Sequence, residues 1–305
     1  MSKYIIGIDV GGTNVKLGLV NGKGDIIGRL SFSTKNVAAT PEKLTAAICE
    51  AAGAILRKDR IPKDMISGVG VGLPGLVDVK NGIVRVLPNI PGWKDVLLRK
   101  AMEKKLGLAV RLENDVNMIA LGEWQYGAGK GLTDAMFVTL GTGVGAGLIL
   151  NGAIYRGPGF AAGEIGHIPL NEGGPVCGCG GWGCFERYVG NQELRQIAAK
   201  MFNEPDIALE EIYNKAVEGK KKALKFWDMI GERVGNGLVG PVNLLNPQAI
   251  VVGGGVARSF AFLEPAIVRT LRRRSMRTQG EMVRVIKAQL DDDAGIIGAR
   301  VLLHT

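Results

Sequence analysis

Apolar residues fall along this chain in short runs that glycine interrupts. Residues 4 to 10, "YIIGIDV", read as a strand. Gly11-Gly12-Thr13 turns the chain, and residues 14 to 20, "NVKLGLV", read as the antiparallel partner. A second turn, "NGKGD" at 21 to 25, leads into a strand at 26 to 33. Thr40-Pro41 starts a helix, with Thr40 as N-cap and Pro41 at the first helical position. Leu44, Ala47, Ile48, Ala51 and Ile55 supply its apolar stripe. "ISGVGVGLPGLVD" reads as a buried strand ending in a Pro-Gly loop. "LAVRLENDVN" reads as a strand with a polar end, and a helix is expected over 115 to 125.

The opening pattern then recurs. "VTLGTGVGAGLILNG" at 138 to 152 is again strand, glycine turn, strand, Asn-Gly. Sliding by 130 residues lays Gly141 on Gly11 and Asn151-Gly152 on Asn21-Gly22. "VGPVNLLNPQAIVVGGGVA" reads as buried helix, turn and strand, with Gly253-Gly254-Gly255 ahead of another helix. "DDDAGIIGARVLLH" reads as a final helix with an Asp N-cap. The pattern predicts two related α/β halves, each opening with a hairpin, and a ligand between them.

Composition sharpens this picture. The chain has 305 residues, 46% of them apolar, enough for one large or two ordinary domains. A formal net charge of +9 suits anionic ligands such as nucleotides. Asp9 interrupts the first apolar run, which is too short for a signal or a membrane span, so a cytoplasmic protein is expected. Three of the four cysteines, Cys177, Cys179 and Cys184, are packed closely in sequence, which predicts a metal site and not a disulfide framework. Cys49 stands alone on a helix and reads as a small core residue.

Candidate chemistry follows from residue type and spacing. The glycine turn is neither a Walker A loop nor a dinucleotide fingerprint, because no Gly-Lys-Ser/Thr follows and the turn leads to a strand. Its backbone N–H groups could cradle phosphate oxygens, with Thr13 adding a hydroxyl and Asp9 holding hydrated Mg²⁺. The alternative is a plain tight hairpin with Asp9 as a turn cap. His167 with the three clustered cysteines makes a closed nitrogen–sulfur set suited to structural Zn²⁺; buried free thiols or a redox pair are the alternatives. In "ENDVN", Asp115 is the candidate general base, because histidine is nearly absent. The competing reading is an Asn-Asp pair capping the next helix. Asn89, Glu164 and Glu186 lie beside turns and suit a polyol, and Glu164 and His167 would share one face of a helical turn. Trp93 reads as core. The basic runs "KKKALK" and "RRRSMR" read as solvated surface, so no nucleic-acid partner is expected.

Together, "DVGGTNVKLGLV", "LPG", "PNIPGW", "ENDVN", "LGTGVGAGLILNG", "GEIGH" and "CGCGGWGCFE" resemble the ROK family (repressors, open reading frames and sugar kinases) nearly end to end, and look most like its bacterial glucokinases. The resemblance implies an α/β, two-domain actin-like (ribonuclease H-like) ATPase fold with an interdomain cleft. It implies a small domain of 1–114 joined by a C-terminal helix at 292–305, and a large domain of 115–291 bearing a zinc loop at 163–187. It implies ATP-dependent transfer to the 6-hydroxyl of glucose or a related hexose, and a homodimer or homotetramer without membrane or nucleic-acid partners. A kinase for N-acetylhexosamine, mannose or fructose, polyphosphate as donor, and a non-catalytic sugar sensor are the rivals. By this resemblance Asp115 is the base, and Asn89, Asn114, Asp115, Glu164, His167 and Glu186 meet the sugar. His167, Cys177, Cys179 and Cys184 hold zinc. Gly11, Gly12, Thr13, Gly141, Thr142, Gly254 and Gly255 face the nucleotide, and Asp9 lies near its metal. The repressor branch's DNA-binding segment is not seen ahead of the hairpin, which favours the enzyme.

Overall fold

The computed structural model describes residues 4–37, 40–87 and 92–304. The first stretch runs through β1 (Tyr4–Val10), β2 (Asn14–Val20), β3 (Ile26–Ser33), α1 (Pro41–Lys58), β4 (Ile66–Leu73), β5 (Leu76–Asp78), β6 (Ile83–Val86), β7 (Lys94–Val96), α2 (Leu98–Leu106), β8 (Val110–Asn114) and α3 (Asp115–Tyr126). It continues with β9 (Ala135–Leu140), β10 (Val144–Leu150), β11 (Ala153–Tyr155), α4 (Glu186–Val189), α5 (Asn191–Phe202), α6 (Leu209–Val217) and α7 (Lys221–Leu245). The remainder is β12 (Ala249–Gly253), α8 (Phe260–Arg274), α9 (Arg277–Met282), β13 (Arg284–Lys287) and α10 (Ala294–Leu302).

The first sheet has the order β3-β2-β1-β4-β8. β1 and β2 form the predicted antiparallel hairpin, and β4 and β8 run parallel to β1. Adjacent Ile5 and Ile6 are both fully buried, so this sheet is covered on both faces and its central strands carry near-continuous apolar runs. On one face, Leu44, Ile48 and Ile55 of α1 join Ile8, Val10 and Leu17 in a single core. Burying each such side chain contributes about 1.5–3 kcal/mol as an upper estimate. Thr40 caps α1, its hydroxyl accepting from Lys43 N–H at 3.3 Å. Trp93 is buried in the same core. A small antiparallel sheet, β5-β6-β7, sits between β4 and α2 in sequence and was not expected.

The second sheet has the order β11-β10-β9-β12-β13. β9 and β10 are antiparallel, and β12 and β13 continue in parallel from β9. The two sheets therefore share strand order, and β10-β9-β12-β13 match β2-β1-β4-β8 in sense, as the internal repeat predicts; the fold is the two-domain actin-like α/β class.

The chain divides into two compact units, Met1–Gly131 with Ile154–Ala162 and Gln289–Thr305, and Leu132–Ala153 with Gly163–Ala288. This departs from a boundary at 114/115, because α3 lies in the first unit. The cause is close packing of α3 on α10. A Cβ at Gly122 would lie 2.2 Å from the Ala294 carbonyl oxygen, and one at Gly298 would lie 1.9 Å from that of Met118. The two helix backbones touch, which places both helices in the same unit. Asp293 does take the N-cap position of α10, but its side chain makes no capping bond. Instead it accepts from Arg29 Nη2 at 2.8 Å. Among the described residues, no helix is long and apolar enough to cross a membrane.

Candidate functional site

In the first unit, β1, β4 and β8 end side by side, and the chemistry gathers at their C-terminal edge. Asp9 of β1 is in register with Gly72 of β4, which in turn pairs with Glu113 of β8. Ligands of parallel α/β sheets collect at this edge. A Cβ at Gly72 would lie 3.2 Å from Met118 Cε and 3.4 Å from Asp115 Cα, so the strand packs directly against the start of α3. Burial pushes the Asp9 carboxyl up to about 6, the neighbouring Asp115 carboxylate and Asp292 push the same way, and Lys16 opposes them. Lys16 pairs in register with Asp9 and forms an ion pair with Asp292 at 3.2 Å. A half-buried acid beside a second acid is a site that a cation would neutralise.

The turn beyond Asp9 is held by backbone bonds. Gly11 N–H donates to Asn14 O at 2.9 Å, and the Thr34 hydroxyl and N–H donate to Gly11 O and Thr13 O at 2.9 and 2.8 Å. Gly12 and Thr13 are exposed. Among the described residues, and its two chain neighbours aside, no atom lies within 4 Å of where a Cβ at Gly12 would stand, and its φ is not positive. The fold itself therefore does not require glycine there, although glycine costs backbone entropy.

Asp115 opens α3, and the capping reading of "ENDVN" is seen directly. Asn114 is the N-cap, its Oδ1 accepting from Val116 and Asn117 N–H at 2.9 and 3.1 Å. Its amide also donates to Gly75 O at 3.2 Å. Asp115 is half-buried, and its Oδ1 accepts from Val116 N–H at 2.9 Å. Glu113, buried to 1% exposure, was passed over in the sequence reading. It accepts from Asn114 N–H at 3.0 Å, Asn117 Nδ2 at 3.1 Å and Arg156 Nε at 2.6 Å. Its place at the head of that motif is a usable signal; its partner Arg156 lies 43 positions away and leaves none. Asn89 lies outside the described residues.

In the second unit, the matching turn carries Gly141 and exposed Thr142. Gly141 N–H donates to Gly143 O at 3.0 Å, and Gly141 O accepts from Asn191 N–H at 2.9 Å. Space is open where a Cβ would stand at Gly141 and at Gly255. Gly254 is different: its φ of 87° favours glycine, and a Cβ would meet the Leu140 carbonyl oxygen at 2.4 Å.

The "GEIGH" turn abuts β10. Cβ atoms at Gly163 and Gly166 would strike the Ala146 and Val144 carbonyl oxygens at 1.9 and 2.1 Å, so no larger residue fits. The turn brings exposed Glu164 to 3.9 Å from His167 Nε2, on one face as its i,i+3 spacing predicts. His167 Nδ1 points the other way, 3.7 Å from Cys177 Sγ, and Cys179 Sγ lies 3.7 Å from Cys184 Sγ. The four donor atoms of His167, Cys177, Cys179 and Cys184 all lie within 4.8 Å of one another. Zinc–sulfur bonds of about 2.3 Å in a tetrahedron set sulfur–sulfur distances of about 3.8 Å. The donor set thus fits zinc in both chemistry and spacing. Burial, then the neighbouring thiols, push the Cys184 thiol up to about 12, while hydrogen bonding from Gly181 N–H lowers Cys179. A bound cation would favour every thiolate. Glu186 joins this group to the hairpin: its Oε2 accepts from Val144 N–H at 3.2 Å, and its Oε1 lies 3.8 Å from Cys177 Sγ.

A family model described as "ROK family" matches residues 5–305. A glucokinase of Thermotoga maritima is 30% identical over 98% of this chain and 96% of its own length. An N-acetyl-D-glucosamine kinase of Photobacterium profundum is 31% identical over 97% of this chain and 98% of its own. The crystal structure of a ROK family glucokinase from Streptomyces griseus with glucose and AMPPNP superposes with a TM-score of 0.82 at 32% identity, covering 97% of each chain.

Proposed function

The chain belongs to the ROK family, and on that premise we propose that it is a sugar kinase that moves the γ-phosphoryl group of ATP to a hexose hydroxyl, with the 6-hydroxyl of glucose the first candidate. The observation that carries this reading is the pairing of Asp9 and Asp115 at one sheet edge, next to a turn whose Gly12 the fold does not itself require. Phosphoryl transfer asks mainly for positioning and charge neutralisation. Gly12 and Thr13 offer backbone N–H groups to phosphate oxygens. Asp9 would hold Mg²⁺, which supplies neutralising charge when bound. Asp115 orients the acceptor hydroxyl and takes its proton as the oxygen–phosphorus bond forms and the bond to ADP breaks. Gly141, Thr142, Gly254 and Gly255 are assigned to the nucleotide from the second unit. Asn89, Asn114, Glu164, His167 and Glu186 are assigned to the sugar, and His167, Cys177, Cys179 and Cys184 to structural zinc. Glucokinase and N-acetylglucosamine kinase relatives match at nearly equal identity, which supports a hexose or an N-acetylhexosamine equally well by likeness. The test is product formation by the purified protein against glucose, mannose, fructose and N-acetylglucosamine, with ATP or polyphosphate. The reading predicts ADP and sugar phosphate in equal amounts for at least one sugar. ADP without sugar phosphate, or sugar binding without turnover, would remove the kinase assignment.

A further inference from the structure

Glu113 is a buried carboxylate whose three partners belong to two separate segments. Two of them, Asn114 N–H and Asn117 Nδ2, are in the first turn of α3 and flank Asp115. The third, Arg156 Nε at 2.6 Å, comes from the loop after β11. A glutamine would satisfy the first two partners equally well, since an amide oxygen accepts as a carboxylate does. A buried charge is costly unless it is paired, so what the carboxylate adds is its hold on Arg156. Arg156 is itself largely covered, with 23% side-chain exposure against 1% for Glu113.

The Arg156 loop is well defined. Ala162 N–H donates to Arg156 O at 3.0 Å, and Phe160 N–H donates to Gly157 O at 3.2 Å. Phe160 sits at φ 58°, a left-handed conformation that bulky residues seldom adopt and that persists only where surroundings over-determine it. Gly163 and Glu164 follow directly in sequence.

We propose that Glu113 is a positioning residue that locks the first turn of α3, and with it Asp115, to the Arg156 loop, so that the base is held in one orientation toward the acceptor hydroxyl. The proposal rests on the kinase reading for its catalytic consequence, but its structural half can be tested without turnover. Glu113→Gln keeps both acceptor bonds to α3 and loses only the charge pair. Arg156→Lys keeps the positive charge and loses the planar Nε donor. A misplacement of about 1 Å can cost about a hundredfold in rate. Each variant is expected to lower kcat by about tenfold to a hundredfold, with the hexose KM within about threefold of wild type. The double variant is expected to lose no more than the worse single one, because both remove one interaction. Without any ligand, amide hydrogen exchange is expected to speed up together at 114–118 and 156–162. A kcat within about twofold of wild type in both variants, or a raised KM with kcat kept, overturns the positioning role. Faster exchange in only one of the two segments overturns the lock. If Glu113→Gln fails to fold, Arg156→Lys carries the same readouts. If the wild type phosphorylates no sugar, the kinase reading fails on its own, and the exchange data still decide whether the lock exists.

Discussion

The hairpin turn at residues 10–15 and its counterpart at 140–144 share a topology but not a chemistry. Both join antiparallel strands at the centre of a five-stranded sheet of the same order. The first closes from Val10 to Val15 and the second from Leu140 to Val144, one residue shorter. Asp9 precedes the first turn, whereas sliding by 130 residues puts Thr139 in its place. The first turn is backed by Thr34 and follows Asp9, whose carboxyl feels Asp115; the second is backed by Asn191 and by Glu186, which adjoins the cysteine cluster. A duplicated backbone can thus offer N–H groups twice, while the neighbouring acids Asp9 and Asp115 have no matching pair at the second turn.

The sharpest way to break this asymmetry is at Asp115. Asp115→Asn is expected to lower kcat by about 10²–10⁴-fold while calorimetry still detects sugar binding. Near-normal turnover would take the base away from the first unit altogether. A smaller effect is expected at the metal end: Cys177→Ser should lose at least about tenfold in zinc affinity and weaken sugar binding with it. Full zinc occupancy in that variant, measured by elemental analysis, would count against its place in the donor set.

Asp9 comes next. Its folded carboxyl titrates near 6 against an ordinary 3.8, so the folded state holds the proton longer than the unfolded chain does. Without metal, stability therefore declines as pH rises from about 4 to about 6, and the cost is complete above that. Mg²⁺ should raise the melting temperature at pH 8 and have little effect at pH 5, where Asp9 is protonated. Asp9→Asn should melt a few degrees higher than wild type at pH 8 without metal and lose the Mg²⁺ response. An unchanged Mg²⁺ response in the variant would move the cation elsewhere. The smallest effect is expected from Gly12→Ala. With open space and no positive φ, it should stabilise by about 0.4–1 kcal/mol while raising the KM for ATP severalfold. An unchanged KM would leave the first turn without a ligand.

How much of this could be read from sequence follows the range of the forces involved. The hairpins, the Thr40 cap, the start of α3 at Asp115 and the cysteine–histidine set were legible because each rests on neighbours within a few residues. Asn114 and Asp115 carry two readings there; the cap uses Asn114, and Asp115 Oδ1 accepts from Val116 N–H, which is compatible with a second role for Asp115. The limit of the first unit was misplaced because the helix–helix contact that decides it joins Gly122 to residues near 294, far apart in sequence. Glu113 was missed for the same reason. In a parallel strand covered on both faces, alternation does not separate an inward acid from its apolar neighbours, and Arg156 is invisible until the chain has folded.

The most direct measurement is a crystal structure with a non-hydrolysable ATP analogue and a hexose. The account predicts phosphate oxygens within hydrogen-bonding distance of the Gly12 and Thr13 N–H groups, a cation on Asp9, and a sugar hydroxyl on Asp115. A nucleotide bound away from that turn, or a sugar whose hydroxyls all lie beyond reach of Asp115, would contradict it.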